Sequence, residues 1–360
     1  MPAPPNKLYF IGFLMTLHVG IVGTGTIALD HAVTCQADPK VELTAICDIS
    51  VPALNAFGDR YGVSKRYTDL AEMLKSEQLD IVIVATWGLS HAEISIAAAQ
   101  SGNVRAILCE KPISMTSAEC GAMIEAARAN DVLLIEGYKW RHDPQHIRIK
   151  ELIDEDRIGK VMSVQSTFSS PLVRFAEKDN WRYDRALGGG SVFDAAGYII
   201  HFARYVVDEE PNRAYATGSF IDSANADMSA AILLEFPGGA TAKLTSSYQF
   251  GYCQATEVLG NKGWIRADLP FDQRSVREQE FVEEPDLPAS LEIFYDTFET
   301  ETLKFDPVDQ FALQLEHVCA CLESGALPRI APEFSLSNMR IIDAIYESIE
   351  SRMPVDIGST

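Results

Sequence analysis

The sequence has no long apolar run: nothing in its 360 residues approaches the roughly eighteen consecutive apolar residues of a membrane span. It is also poor in positive charge, with 30 Lys and Arg against 51 Asp and Glu, a formal net charge of −21. Nucleic acid and anionic membranes are bound through a basic footprint, so this balance argues against both and for solubility. The seven cysteines show neither CxxC spacing nor a paired framework, which points to a reducing, cytoplasmic compartment and to no metal site. Lys7 precedes the apolar run Leu8 to Met15 and imitates a short signal, but no small-residue cleavage site follows, and a cut would fall against the first core strand. Residues 1–15 are expected to be a disordered leader.

What is present is enough for two domains. The length exceeds the usual limit of about 250–300 residues for a single core, and 47% of the residues are hydrophobic. Leu17 to Val22 is a short apolar run followed by Gly23-Thr24-Gly25-Thr26-Ile27-Ala28 and a helical stretch. That order is strand, tight turn, helix, with Gly23 for the turn, Gly25 for close approach of a pyrophosphate, and small Ala28 for helix–strand packing. The helix amino terminus then offers free N–H groups of Thr26 and Ile27 to phosphates. The next strand, Glu42 to Cys47, ends in Asp48, where a carboxylate accepts from the adenosine ribose hydroxyls and repels the extra phosphate of NADP. Ile49 and Ser50 follow rather than arginine, so the expected cofactor is NAD, with NADP as the alternative.

Helices near 51–61 and 67–75 and a strand from Asp80 to Ala85 continue the alternation, which implies a parallel sheet. The loop after that strand, Thr86-Trp87, lies beside the cofactor in such a sheet; Trp87 either stacks near the nicotinamide or the substrate, or packs. His91 opens the next helix, in the same neighbourhood, where a capping or structural role fits better than catalysis. Val104 to Cys109 is another strand, ending in Glu110-Lys111-Pro112. This is either a charged strand-end turn or a lysine aimed into the crevice outside the carboxyl ends of the strands. Gly23, Asp48, Trp87 and Lys111 all fall at such ends, which favours the working lysine. A helix over 117–130 and a strand at Val132 to Ile135 close a dinucleotide-binding domain spanning 16–137.

The remainder, 138–360, is expected to be an α+β domain for substrate binding and oligomerisation. The crossover Glu136-Gly137-Tyr138-Lys139-Trp140-Arg141 is rich in groups that could line a site, and Pro144 opens a helix. Strands at 161–169, 213–221, 227–236, 240–250, 255–259 and 263–268, joined by turns such as Pro237-Gly238-Gly239, imply a large, mostly antiparallel sheet. Trp181-Arg182 leads to Gly188-Gly189-Gly190, and 192–207 then reads as one helix with Asp194, Tyr198 and His201 on a shared face. Those three are either satisfied core polar groups or an acid/base set.

Together these motifs resemble the Gfo/Idh/MocA family (glucose-fructose oxidoreductase, inositol dehydrogenase and rhizopine-catabolism proteins) over nearly the whole chain. The resemblance is carried by Gly23-x-Gly25-x-x-Ala28, Glu110-Lys111-Pro112, Trp181-Arg182 with the triple glycine, Asp194 and Tyr198, and 314–328 as a late helix. Tyr198 stands where many members have histidine, as in the branch with dihydrodiol dehydrogenase and sugar ketoreductases; Ala196 stands where glycine is usual. The resemblance implies a Rossmann domain plus an open-faced sheet domain, a sugar, keto-sugar or cyclitol substrate, and a homodimer or homotetramer built through that sheet. It also implies cofactor contacts from Gly23 to Ala28 and at Asp48, Thr86, Trp87, His91, Glu110 and Lys111.

Oxidising a secondary alcohol requires a proton to leave with the hydride, and a tyrosine of pKa about 10 is a poor base at neutral pH. An ammonium about 4 Å away, at an effective dielectric near 20, is worth about 4 kcal/mol and would correct that. Lys111, Tyr198 and Asp194 are therefore the expected catalytic group, Asp194 to orient Lys111 or bind a neighbouring hydroxyl, with His201 a rival acid/base and Trp140, Arg141 and Arg182 candidates for specificity. Two other functions fit the fold: a non-catalytic dinucleotide-binding sensor, and a hydro-lyase or glycosidase using nicotinamide transiently.

Overall fold

In the computed structural model of the protein, residues 16–174, 176–177, 180–220, 225–268, 271 and 289–358 are described. The leader expected at 1–15 lies outside them. Six parallel strands form the first sheet: β1 (Leu17–Val22), β2 (Val41–Cys47), β3 (Lys65–Tyr67), β4 (Ile81–Val84), β5 (Ala106–Cys109) and β6 (Leu133–Glu136), in the order β3-β2-β1-β4-β5-β6. The helices α1 (Thr26–Ala37), α2 (Val51–Tyr61), α3 (Leu70–Ser76), α4 (Gly88–Gln100) and α5 (Ser117–Ala129) connect them. β4 and β5 are buried on both faces and accordingly read as unbroken apolar runs, Ile-Val-Ile-Val and Ala-Ile-Leu-Cys. The strand order reverses between β1 and β4, so the ligand crevice of this fold opens above their carboxyl ends.

The sequence reads as a helix starting near Tyr67; instead Lys65–Tyr67 is strand β3, paired with β2, and α3 starts at Leu70 behind an Asp69 cap. Three residues are too few for periodicity to register, and it is the open edge of β2 that recruits them.

The second sheet has nine strands. They are β7 (Val161–Ser169), β8 (Arg213–Ser219), β9 (Ser229–Glu235), β10 (Thr241–Ser247), β11 (Cys253–Gly260), β12 (Gly263–Asp268), β13 (Ala289–Tyr295), β14 (Thr300–Phe305) and β15 (Val355–Asp356). Their order is β14-β13-β12-β11-β7-β10-β9-β8-β15, antiparallel except for the β7–β10 pair. The expected fold class, a Rossmann domain beside a large, mostly antiparallel sheet, is the one observed. β13, β14 and β15 were missed; β15 is only two residues long, and β14 buries none of its residues, so neither leaves an apolar signature.

Strands such as β8 and β11 alternate buried and exposed residues, as a sheet covered on one face requires. Against the covered face pack α7 (Gly197–Val207) and α9 (Pro332–Ser351), while α6 (Pro144–Asp154) precedes β7. α8 (Gln310–Ser324) turns back to the first sheet: Leu315, Val318 and Cys319 share a core with Val19, Ile21, Ile81 and Ile83. α8 ends at Gly325, in the left-handed region at φ 71°, so the expected late helix stops before Pro328. One contiguous apolar cluster runs from Val84 and Ile107 through Ile113, Tyr138 and Tyr198 to Ile232 and Ile345, so the two sheets are fastened across a packed seam.

Candidate active site

The cofactor end is built from backbone. Gly23 sits at φ 92°, and a Cβ there would lie 2.7 Å from the Ala85 carbonyl oxygen, so only glycine lets the β1–α1 turn press against the end of β4. Gly25 begins α1 with no side chain capping the helix, and a Cβ on it would meet nothing within 4 Å. The first-turn N–H groups of Thr26 and Ile27 are thus left uncapped on the Gly25 side, with the positive end of the helix dipole behind them, as a diphosphate requires. Ala28 is fully buried against the sheet. Asp48 is held half-buried beside this turn: its Oδ2 accepts from the Thr24 N–H (2.7 Å) and hydroxyl (2.8 Å), and its Oδ1 from the Ser50 N–H (2.7 Å). These residues fit a nicotinamide dinucleotide.

Thr86 and Trp87 follow β4 at the rim. Trp87 is 53% exposed and stacks on Trp181 of the other domain, ring centres 6.1 Å apart and planes 24° apart. His91 and Glu110 are not brought to the crevice. The His91 ring is buried, with Nδ1 2.9 Å from the Pro112 carbonyl and Nε2 3.0 Å from the Thr86 carbonyl, and burial holds its pKa below the ordinary value. Glu110 lies inside, 2.8 Å from His31 Nε2; burial pushes its carboxyl up, but His31, Lys111 and His91 together outweigh this and the pKa falls. Both stand under the site as supports.

Lys111 leaves the end of β5 and crosses to the other domain. Its Nζ donates to Asp194 Oδ1 at 2.7 Å and to the Asp194 carbonyl at 3.1 Å, and lies 4.8 Å from the centre of the Tyr198 ring. Asp194 Oδ2 accepts from Arg182 Nε (2.9 Å) and from the Tyr248 hydroxyl (2.8 Å). Both carboxylate oxygens are thus occupied. Burial disfavours the charge on each partner, yet the pairing prevails: the Asp194 pKa is driven far down and that of Lys111 up. With two cations on one carboxylate, a single net positive charge remains beside Tyr198.

Tyr248, at the end of β10, carried no signal in the sequence; only the parallel β7–β10 pairing brings it beneath Asp194. The expected single helix over 192–207 opens instead with a π turn, Val192–Ala196, before α7. Ala196, in the position where glycine is usual, lies fully buried in that turn.

The remaining candidates lie elsewhere. His201 has no accessible surface; its ring lies 4.3 Å from that of Tyr138 and 4.6 Å from that of Phe334, and burial drives its pKa far below the usual imidazole value. Trp140 is likewise fully buried, edge-on to His201. Arg141 lies 3.9 Å over the Tyr205 ring, away from Lys111, and burial lowers its pKa to about 10. Expectations that these three line the substrate site, or that His201 rivals Tyr198, do not match their positions: α7 carries His201, and the short turn Lys139–His142 carries Trp140 and Arg141, into the aromatic packing around Tyr138, Tyr205 and Phe334.

A parallel-sheet dinucleotide crevice, a lysine at a strand end and a tyrosine facing it from a second domain define a nicotinamide-dependent oxidoreductase. Residues 17–138 match the model of the oxidoreductase family with an NAD-binding Rossmann fold, and residues 146–266 match the GFO/IDH/MocA C-terminal domain. The chain is 32% identical over 341 residues to D-xylose 1-dehydrogenase (NADP(+)) 2 of Haloferax volcanii, covering 94% of this chain and 99% of that one. It is 26% identical to trans-1,2-dihydrobenzene-1,2-diol dehydrogenase of Xenopus laevis, over 93% and 98% of the two chains. Among solved structures, the aldose-aldose oxidoreductase of Caulobacter crescentus, complexed with glycerol, superposes with a TM-score of 0.83 at 26% identity, over 95% and 99% of the chains. The protein belongs to the Gfo/Idh/MocA oxidoreductase family. Among the described residues no helix is long and apolar enough to cross a membrane.

Proposed function

We propose that the chain transfers hydride between NAD and a secondary alcohol or ketone carbon of a sugar, keto-sugar or cyclitol, with Tyr198 as the acid/base. The observation that carries this reading is the Lys111–Asp194–Tyr198 constellation, assembled from both domains at the carboxyl end of β5. The names of the D-xylose dehydrogenase relative and of the aldose-aldose oxidoreductase support the substrate class. NAD is favoured because the Asp48 carboxylate, held by Thr24 and Ser50, would repel a ribose phosphate.

The bound nicotinamide supplies or accepts the hydride; the side chains handle the proton. In oxidation, Tyr198 takes the hydroxyl proton as the carbonyl forms; in reduction it returns one to the alkoxide oxygen. The net positive charge left by Lys111, Arg182 and Asp194 stabilises the tyrosinate or alkoxide. Because Lys111 shares its charge with Asp194, its effect on Tyr198 is smaller than that of an unpaired ammonium, and Arg182 makes up part of the difference. Asp194, with both oxygens taken, orients Lys111 and Arg182 rather than acting as a base. Trp87 and Trp181 offer a flat apolar wall at the rim for a sugar ring.

Copies of the chain are proposed to associate as a homodimer or homotetramer through the open face of the nine-stranded sheet, where Trp264 and Phe294 stack across β12 and β13 and Met162 and Tyr215 are exposed. Its seven free cysteines suit a cytoplasmic setting. The test is a cofactor-absorbance screen against sugars, cyclitols and keto-sugars with NAD and NADP in parallel. The reading fails if no member of the panel turns over, or if Lys111→Met and Tyr198→Phe both leave turnover intact.

A further inference from the structure

Pro112 and Ile113 share the second peptide group beyond Lys111, and buried side chains lie at both of its polar ends. Its carbonyl oxygen lies 2.9 Å from His91 Nδ1, and its N–H donates to Glu136 Oε1 at 2.9 Å. His91 and Glu136 are each 1% exposed. They arrive from separate elements, His91 from the first turn of α4 and Glu136 from the last residue of β6. The other His91 nitrogen lies 3.0 Å from the Thr86 carbonyl, so the ring sits between this peptide and the loop at the cofactor rim. On the other side of Lys111, its own N–H is directed at Glu110 Oε2 at 3.3 Å, and Glu110 is fixed by His31.

A peptide plane gripped at both ends cannot rotate without leaving a buried donor or acceptor unpaired. Between that plane and Lys111 stand only the planar Lys111–Pro112 peptide and the Pro112 ring, which locks φ, so holding the plane restrains the backbone from which the Lys111 side chain departs toward Asp194. We propose that His91 and Glu136 are positioning residues for the reaction: together they fix the Pro112–Ile113 peptide, and with it the path along which Lys111 carries its ammonium across the crevice. The inference rests on the oxidoreductase reading, with Lys111 at the reacting oxygen.

The chemistry of each grip dictates its variants. Ile113 needs an acceptor oxygen, not a charge, and burial already raises the Glu136 pKa to about 7, so a carboxamide serves equally. An imidazolium donates to Pro112 and Thr86 together, a neutral ring to one of them. His91→Asn places its amide nitrogen where Nδ1 stands and keeps the Pro112 contact; His91→Gln reaches only the Nε2 position beside Thr86.

The test uses the full chain, steady-state kinetics with NAD and the panel sugar or cyclitol of highest wild-type turnover, thermal melting, and NAD affinity by fluorescence. Glu136→Ala is expected to lower kcat about 100-fold with KM nearly unchanged, the effect of roughly 1 Å of misplacement. Glu136→Gln restores most of the loss, and His91→Asn retains more kcat than His91→Gln. A folded, NAD-binding Glu136→Ala of wild-type kcat overturns the proposal, as does a Gln variant as damaged as the Ala one, or a His91→Gln that outperforms His91→Asn. If Glu136→Ala does not fold, the two His91 variants decide by themselves. Should Lys111→Met turn over normally, the oxidoreductase reading fails and takes the positioning role with it; if Lys111→Met is inactive while Glu136→Ala is unimpaired, the positioning role alone fails.

Discussion

Asp194 and His201 lie seven residues apart on one continuous helical run, yet they occupy opposite chemical worlds. Asp194 holds three donors from three elements and faces the crevice, whereas His201 is sealed among Tyr138, Trp140 and Phe334. An α-helix would put both on one face. The π turn at Val192–Ala196 advances each residue by less than an α turn, so the face carrying Asp194 no longer continues into the face carrying His201. Helical spacing counts contacts correctly only while the helix stays α. Tyr198, at the junction, belongs to both: its ring meets the Lys111 ammonium on one side and Tyr138 and Phe168 on the others.

The contrast can be broken most sharply at Tyr198. Tyr198→Phe keeps the packing and removes the proton carrier, and kcat is expected to fall by about 10²–10⁴-fold in the absorbance assay. Asp194→Ala is expected next, with kcat reduced about 100-fold through misplaced Lys111. It also costs about 3 kcal/mol of stability by denaturant unfolding, the lower end for a broken buried pair because Arg182 is a third exposed and screened.

The same pair sets a pH dependence. The folded pKa of Asp194 is depressed, so its contribution is present above the unfolded carboxyl value of about 3.9 and is lost as pH falls through the folded value. Glu136 runs the other way: its folded pKa is raised to about 7, so the native state binds the extra proton and stability declines as pH rises from about 4.3 to 7, by about 3 kcal/mol. Glu136→Gln should flatten that decline in melts taken across the range, and an unchanged slope would dissociate it from Glu136.

At the small end stands His201→Phe, a near-isosteric swap in an aromatic box. It is expected to shift stability by less than about 1.5 kcal/mol and leave turnover at the wild-type value. A loss of activity there would reverse the comparison and return His201 to the reaction.

Legibility followed locality. The glycine turn, Asp48 and Glu110-Lys111-Pro112 each announce themselves within a few residues, because their backbone geometry is a local property. Arg182 and Asp194 were legible as candidates, though not as partners. Tyr248 was invisible: a tyrosine at a strand end among several others acquires meaning only when β10 pairs with β7 and slides beneath the π turn. His91 and Glu136 were noticed for position, yet their shared grip on one peptide involves residues 45 apart meeting through the parallel sheet. α8 was foreseen only through the resemblance, as a late helix, with no hint that it covers the first sheet.

By itself the sequence determined that the chain alternates strand and helix into a dinucleotide fold, carries a lysine at a strand end, and continues into a second, sheet-rich domain. Those follow from periodicity, turn chemistry and chain order, which are written along the backbone. Only the tertiary structure decided which further polar groups meet: that Arg182 and Tyr248 share the Asp194 carboxylate with Lys111, and that His201 and Trp140 are walled in. Contacts between side chains distant in sequence depend on how two sheets pack across a seam and on one wide helical turn, and neither has a local signature.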